Sequence, residues 1–148
     1  MSTGSSTTIR PLVADQRPPR GIIDTSVVID LDHIAVGDLP AELAVSAITL
    51  AELAAGPHAT TDPAERARRQ DRLQRAESTF DPLPVDTEVA RAYGRIYAAV
   101  TKAGRKARGA RSLDLLIAAT ALASGLPLVT RNPEDFRGAE SLIDVVAV

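Results

Sequence analysis

Apolar and polar positions in this chain switch repeatedly between strand-like runs and helical spacing, and each switch marks an element. Gly21-Ile22-Ile23, closed by Asp24, predicts a short buried strand over residues 21–24. Thr25 or Ser26 is then expected to cap a helix reaching about residue 31. Residues 43–48 predict a second strand or a strand-to-helix entry. Thr49 is the expected cap of a short helix that carries Glu52 and stops at Gly56-Pro57. Asp62, Pro63 and Glu65 suit the N-cap, first position and first turn of a long helix to about residue 80. Leu73, Ala76 and Phe80 form its modest apolar stripe, with arginines around it.

Residues 82–85 predict another short strand. Asp86 or Thr87 then opens a helix to about residue 103, with Val89, Tyr93, Ile96, Tyr97 and Val100 at helical spacing and Gly104 as its stop. After a basic loop, Ser112 is the expected cap of the most apolar helix, which ends near Ser124-Gly125. Strands over 126–130 and 143–148 flank the turn-rich Asn132-Pro133-Glu134-Asp135. Strands alternating with helices imply an α/β fold with a mainly parallel sheet covered on both faces. In such a sheet, ligands bind beyond the carboxyl ends of the strands.

Composition narrows the chemistry. The chain has 148 residues, a length that fits one domain. Aromatics are only 3%, so the core must be built from Leu, Val, Ile and Ala. With no cysteine, thiol catalysis, thiolate zinc sites and disulfides are excluded. No apolar run reaches the roughly 20 residues of a membrane span. Residues 1–20 are polar, carry Pro11, Pro18 and Pro19, and lack the apolar stretch of a secretory signal. They are expected to be a disordered leader on a cytoplasmic protein, with the folded domain spanning 21–148. A net charge of −2 leaves nucleic-acid contact to local basic patches.

Three carboxylates stand out because each lies inside a strongly apolar stretch. Asp24 ends the first strand, Glu52 lies in Leu50-Ala51-Glu52-Leu53-Ala54-Ala55, and Asp114 lies in the first turn of the most apolar helix. A carboxylate in such surroundings is costly unless something neutralises it. Brought together, these three make a site for a hard divalent cation and point to metal-assisted phosphodiester cleavage. The bland alternatives are a cap for Asp24, a solvated helix position for Glu52 and a cap for Asp114. Ser26 can support Asp24 by hydrogen bonding. Asn132 and Asp135 compete for a fourth place beyond Thr130. Asp30 and Asp32 read as surface residues, and His33 and His58 lack ligand spacing.

The cations form two groups. Arg66, Arg68, Arg69, Arg72 and Arg75 alternate with acids along the long helix, the pattern of a solvated or partner-binding helix. Lys102, Arg105, Lys106, Arg108 and Arg111 carry no acid among them and lead into Asp114, the arrangement expected of a phosphate-binding arm. Its bland alternative is a solubilising loop.

Four segments together resemble a known family: Ile22-Ile23-Asp24-Thr25-Ser26, Thr49-Leu50-Ala51-Glu52-Leu53, Asp114-Leu115-Leu116-Ile117-Ala118-Ala119-Thr120-Ala121 and Leu128-Val129-Thr130-Arg131-Asn132-Pro133-Glu134-Asp135-Phe136. They are similar to PIN-domain ribonucleases and, more closely, to the VapC toxins of bacterial toxin–antitoxin pairs. The resemblance spans residues 21–148. It implies a three-layer α/β/α sandwich, a Mg²⁺- or Mn²⁺-dependent endoribonuclease, a homodimer, and a VapB antitoxin that blocks the active site. Asp24, Glu52 and Asp114 match the family's metal-binding acids, with Asp24 and Asp114 as the main ligands. The fourth acidic place is Asn132 here, a departure from the fullest pattern, with Asp135 as the next acid. Ser26, Thr130 and Asp135 are the supporting residues.

Two other readings compete. A haloacid-dehalogenase-type phosphatase also has a strand-end Asp, but needs a second Asp where Ser26 stands. A non-catalytic PIN-like scaffold would have no reason to keep carboxylates in apolar surroundings.

Overall fold

The computed structural model describes residues 17–148. Four parallel strands, β1 (Arg20–Ile23), β2 (Glu42–Ala44), β3 (Leu128–Thr130) and β4 (Val145–Ala147), form one sheet in the order β2-β1-β3-β4. From β1 the chain builds outward to β2, then crosses to β3 on the other side. The switch point therefore lies between β1 and β3, where ligand crevices form in open parallel sheets.

Adjacent residues of the strands face opposite cores, as the period of two demands. Ile22 and Leu128 pack with Ile96 and Val100 of α4 (Thr87–Lys102) and Leu115 and Ile117 of α5 (Arg111–Ser124). Ile23 and Val129 pack on the other face with α1 (Thr25–Ile29), α2 (Ala47–Ala55) and α3 (Pro63–Thr79), through Val27, Val28, Leu53 and Ala76. The result is the expected three-layer sandwich. No helix among the described residues is long and apolar enough to cross a membrane.

Several boundaries differ from the pattern, each for a hydrogen-bonding reason. Residues 1–16 of the expected leader lie outside the described residues. Strand pairing already includes Arg20, and Arg17 points its Nη1 at the carbonyls of Val36, Gly37 and Leu39 (3.2, 2.6 and 3.2 Å). Neither Thr25 nor Ser26 caps α1; Asp24 does, accepting from Val27 N at 3.2 Å. α2 is capped by Ser46 rather than Thr49, through Ile48 N at 3.0 Å, so Thr49 is buried inside the helix. α3 begins as expected, with Asp62 accepting from Glu65 N and Pro63 at the first position. The strand expected over 82–85 shrinks to one parallel bridge between Leu83 and Ser46. Asp86, not Thr87, caps α4 through Val89 N at 3.0 Å. Ser112 does not cap α5: the cap position is Ala110, with no side-chain hydrogen bond.

α5 ends at Gly125, whose positive φ of 67° lets the chain turn back into β3. Gly138 combines a φ of 98° with close packing, since a Cβ there would sit 3.1 Å from both Val100 Cα and Ala103 Cβ. That close approach seats the segment before β4 on the end of α4.

Candidate metal-dependent active site

The site grows from the carboxyl ends of β1 and β3. Their register pairs Ile22 with Leu128 and Ile23 with Val129, so the next step sets Asp24 against Thr130. Asp24 is 5% exposed, and a carboxylate buried that far must be satisfied. Its Oδ1 accepts from Ser26 Oγ at 2.6 Å and Val27 N at 3.2 Å, and its Oδ2 accepts from Thr130 Oγ1 at 2.5 Å. The supporting hydroxyls are themselves held. Ser26 Oγ accepts from Arg131 N at 3.2 Å, and Thr130 Oγ1 accepts from Asn132 N at 2.9 Å. Asp24 thus caps α1 and still lies among the candidate site acids, two roles that the sequence pattern presents as alternatives.

Glu52 enters from α2, half-buried, with its Oε1 accepting from Thr25 Oγ1 at 2.5 Å. The Thr25 hydroxyl also lies 3.1 Å from that of Thr49. Thr25 and Thr49 are the hydroxyl neighbours of Glu52 that sequence reasoning misses. Both read there as helix caps, but with capping done by Asp24 and Ser46 their hydroxyls are left over to orient Glu52. The start of α2 is set against α5 by Ser46 and Thr120, whose hydroxyl oxygens are 3.4 Å apart.

Asp114, half-buried in the first turn of α5, reports that the acids converge. Its pKa is pushed from the ordinary 3.8 up to about 6, first by burial and then by the negative charges of Asp135, Glu52 and Asp24, against the opposing pull of Arg111. Asp135 therefore bears on Asp114 more strongly than Glu52 or Asp24 does. Arg111 spends part of its charge on Asp135, with Nη1 3.2 Å from Oδ1. Asn132 is exposed, and its side chain makes no capping bond to the turn that follows.

Among the described residues, no three His, Cys, Asp or Glu side chains form a ready metal cage. The donor set nonetheless suits Mg²⁺ or Mn²⁺. All its donors are hard oxygens, and their mutual repulsion at Asp114 is a deficit a cation would relieve. Mg²⁺ keeps most of its waters and needs only one or two direct carboxylates. Asp24 and Asp114 could hold it, with Glu52 and Asp135 close by.

The basic loop before α5 is only partly free. Arg105 Nη2 donates to the Glu134 carbonyl at 3.3 Å, and Arg108 Nε donates to the Tyr97 hydroxyl at 3.3 Å, which raises the Arg108 pKa. Lys102 and Lys106 are exposed.

Comparison with known proteins gives the family of the chain. The model of the PIN domain family matches residues 22–140. Ribonuclease VapC5 of Mycobacterium tuberculosis is 33% identical over 131 residues, covering 86% of this chain and 93% of that protein. The chain belongs to the PIN-domain family, in its VapC branch. Ribonuclease VapC8 of the same organism is 40% identical over 102 residues, 68% of this chain and 89% of that protein. Among solved structures, VapBC-5 of M. tuberculosis, a member of the VapBC family of toxin–antitoxin systems, superimposes with a TM-score of 0.70 at 30% identity. That match covers 88% of this chain and 100% of its counterpart. FitAcB of Neisseria gonorrhoeae gives 0.63 at 27% identity, over 84% of this chain and 95% of its own. In this VapC-type PIN domain the acids at the β1 and β3 switch point thus sit within the segment shared with the family.

Proposed function

We propose that this protein is a Mg²⁺- or Mn²⁺-dependent endoribonuclease, the toxin of a type II toxin–antitoxin pair. What supports the reading is the buried Asp24 carboxylate, fixed on both oxygens where β1 and β3 end, with Asp114 made harder to ionise by burial and by Asp135, Glu52 and Asp24. The names of the relatives, ribonucleases VapC5 and VapC8, support the same activity.

Asp24 and Asp114 are the residues that would hold the cation, directly or through water. When bound, it supplies Lewis-acid polarisation of the scissile phosphate and of the attacking water. Ser26, Thr130 and Val27 N fix both oxygens of Asp24, so that its carboxylate is oriented before any ligand arrives. Glu52, which accepts a hydrogen bond from Thr25, is the group that takes a proton from the attacking water in this reading. No histidine or cysteine competes for that role: the chain has no cysteine, and His33 and His58 belong to other segments. Asn132 offers an amide at the mouth of the site, and Asp135 steadies Arg111. Lys102, Arg105, Lys106, Arg108 and Arg111 draw in the RNA backbone. In-line attack by water leaves a 5′-phosphate and a 3′-hydroxyl. A homodimer and a VapB-type antitoxin complete the assembly, in the cytoplasm. The antitoxin rests on the toxin–antitoxin assignment of VapBC-5.

The test is digestion of total tRNA and rRNA by purified protein in Mg²⁺, Mn²⁺ or EDTA, beside Asp24→Asn. Discrete cuts that require the cation and vanish in the variant are expected. Undiminished cutting by Asp24→Asn would overturn the assignment.

A further inference from the structure

Arg111 sits where a cation is out of place. It is the first residue of α5, whose cap position is Ala110 with no side-chain hydrogen bond. The amino end of a helix carries partial positive charge, so it favours acids and disfavours an arginine. Asp114, in the same first turn, follows that rule and Arg111 breaks it. Something in the fold must offset the cost.

The acids of the candidate site offset it. Arg111 Nη1 lies 3.2 Å from Asp135 Oδ1, with the two side chains 30% and 42% exposed. Within the basic group that leads into Asp114, Arg111 is the member that pairs with an acid among the described residues. Arg105 and Arg108 donate to neutral oxygens, the Glu134 carbonyl and the Tyr97 hydroxyl. Arg131, the residue after Thr130, is engaged by Asp30 at 3.5 Å. Asp135 is anchored without help from Arg111. Its N–H donates to the Asn132 carbonyl at 3.0 Å, the next residue, Phe136, is fully buried, and Arg105 ties down the Glu134 carbonyl. The pair therefore joins a fixed acid to a long side chain that can move. Asp135, Glu52 and Asp24 all make Asp114 harder to ionise, and Arg111 is the positive charge that opposes them.

We propose that Arg111 is the resident counter-ion of the acid cluster and competes with the divalent cation for it. In the metal-free site its guanidinium neutralises part of the carboxylate charge through Asp135. Arg111 and a cation held by Asp24 and Asp114 repel each other, because both answer the same negative charge. Arg111 thereby sets the cation concentration at which the site fills. It is a positioning residue, acting through Asp135 and Asp114 rather than on the reacting phosphate. This rests on the metal-dependent reading of the site and deepens it, since cation affinity is then governed by a residue that is not itself a ligand.

The experiment compares full-length wild type, Arg111→Gln, Arg111→Lys and a charge control, Arg91→Gln, which removes an exposed α4 arginine paired with Glu88. Mn²⁺ is the probe. Calorimetric titration gives its Kd, and melts in EDTA and in Mn²⁺ give Tm. Arg111→Gln should bind Mn²⁺ about tenfold more tightly than wild type. Its Tm in EDTA should fall, and Mn²⁺ should raise that Tm by more than it raises the Tm of wild type. Arg111→Lys keeps the charge and should stay within about twofold of the wild-type Kd. Arg91→Gln should match wild type. Unchanged or weaker Mn²⁺ binding by Arg111→Gln would overturn the proposal, and a fall in Tm without tighter binding is what a merely structural ion pair would give. Equal tightening in Arg111→Lys and Arg111→Gln would overturn it as well, because charge would not be the cause. If wild type itself binds no Mn²⁺, the metal-dependent reading fails and takes the proposal with it, a result distinct from the failure of Arg111 alone.

Discussion

Replacing Asp114 with Asn tests the electrostatic heart of the site without changing its shape. In the folded protein Asp114 titrates near 6 instead of 3.8, because burial and the charges of Asp135, Glu52 and Asp24 disfavour its ionised form. The native state therefore binds this proton more tightly than the unfolded chain does. The linkage follows: Asp114 does not penalise the fold below about pH 3.8, stability falls as pH rises from there to about 6, and the full penalty stands above that. The two values differ by a proton affinity worth about 3 kcal/mol. Asp114 is only half-buried, so solvent screening reduces the effect to roughly 1–1.5 kcal/mol. The carboxylate also interacts favourably with the amino end of α5, by about 0.5 kcal/mol, and Asn gives that up. The net expectation in EDTA at neutral pH is that Asp114→Asn is more stable than wild type by about 0.5–1 kcal/mol, a rise in Tm of a few degrees. The difference should close as pH falls towards about 4. Added Mg²⁺ should reverse the order, raising the Tm of wild type and leaving the variant unmoved. Thermal melts across pH, with EDTA and with Mg²⁺, read all of this. If Asp114→Asn is the less stable protein in EDTA at neutral pH, the carboxylate is helping the fold and the reasoning from crowded charge is wrong.

Other perturbations separate support from chemistry. Thr130→Val strips a buried donor from Asp24 and an acceptor from Asn132 N, and should cost about 1–3 kcal/mol in urea unfolding, with Thr130→Ser restoring most of it. A Thr130→Val protein as stable as wild type would show that the pair contributes nothing. Thr25→Val frees Glu52 and should lower kcat by about tenfold or more with little change in Tm; equal loss in KM and kcat, or none, would contradict its orienting role. Gly138→Ala forces a Cβ against Val100 at positive φ and should cost about 2 kcal/mol; a neutral melt would mean that this turn can relax.

The candidate site acids stood out in the chain because a carboxylate inside an apolar run leaves a local signature. Asp24, Glu52 and Asp114 each interrupt an apolar run, and the alternation of strand and helix periods already places such residues near one edge of a parallel sheet. The same periods foretold the helices on both faces, the Asp62-Pro63 start of α3 and the Gly125 stop of α5. Capping was legible at Asp62 but not at the starts of α1, α2 and α5. Asp24, Thr25 and Ser26 are adjacent and all can cap, so only the position of Thr130, 106 residues away, decides how the three divide the work. The same competition moved the α2 cap from Thr49 to Ser46, whose oxygen the fold also sets near Thr120. The charges behaved likewise. Five arginines interspersed with acids read as a solvated or partner-binding helix, and the loop before α5 as a phosphate-binding arm or a solubilising loop. Tertiary structure tied Arg69 to Gly56 and Arg111 to Asp135, and left Arg72 without a partner among the described residues, lining the same cavity as Glu52. Local periodicity reports which side chains must be buried. Partners for hydroxyls and charges are chosen across the fold, by distances that no window along the chain contains.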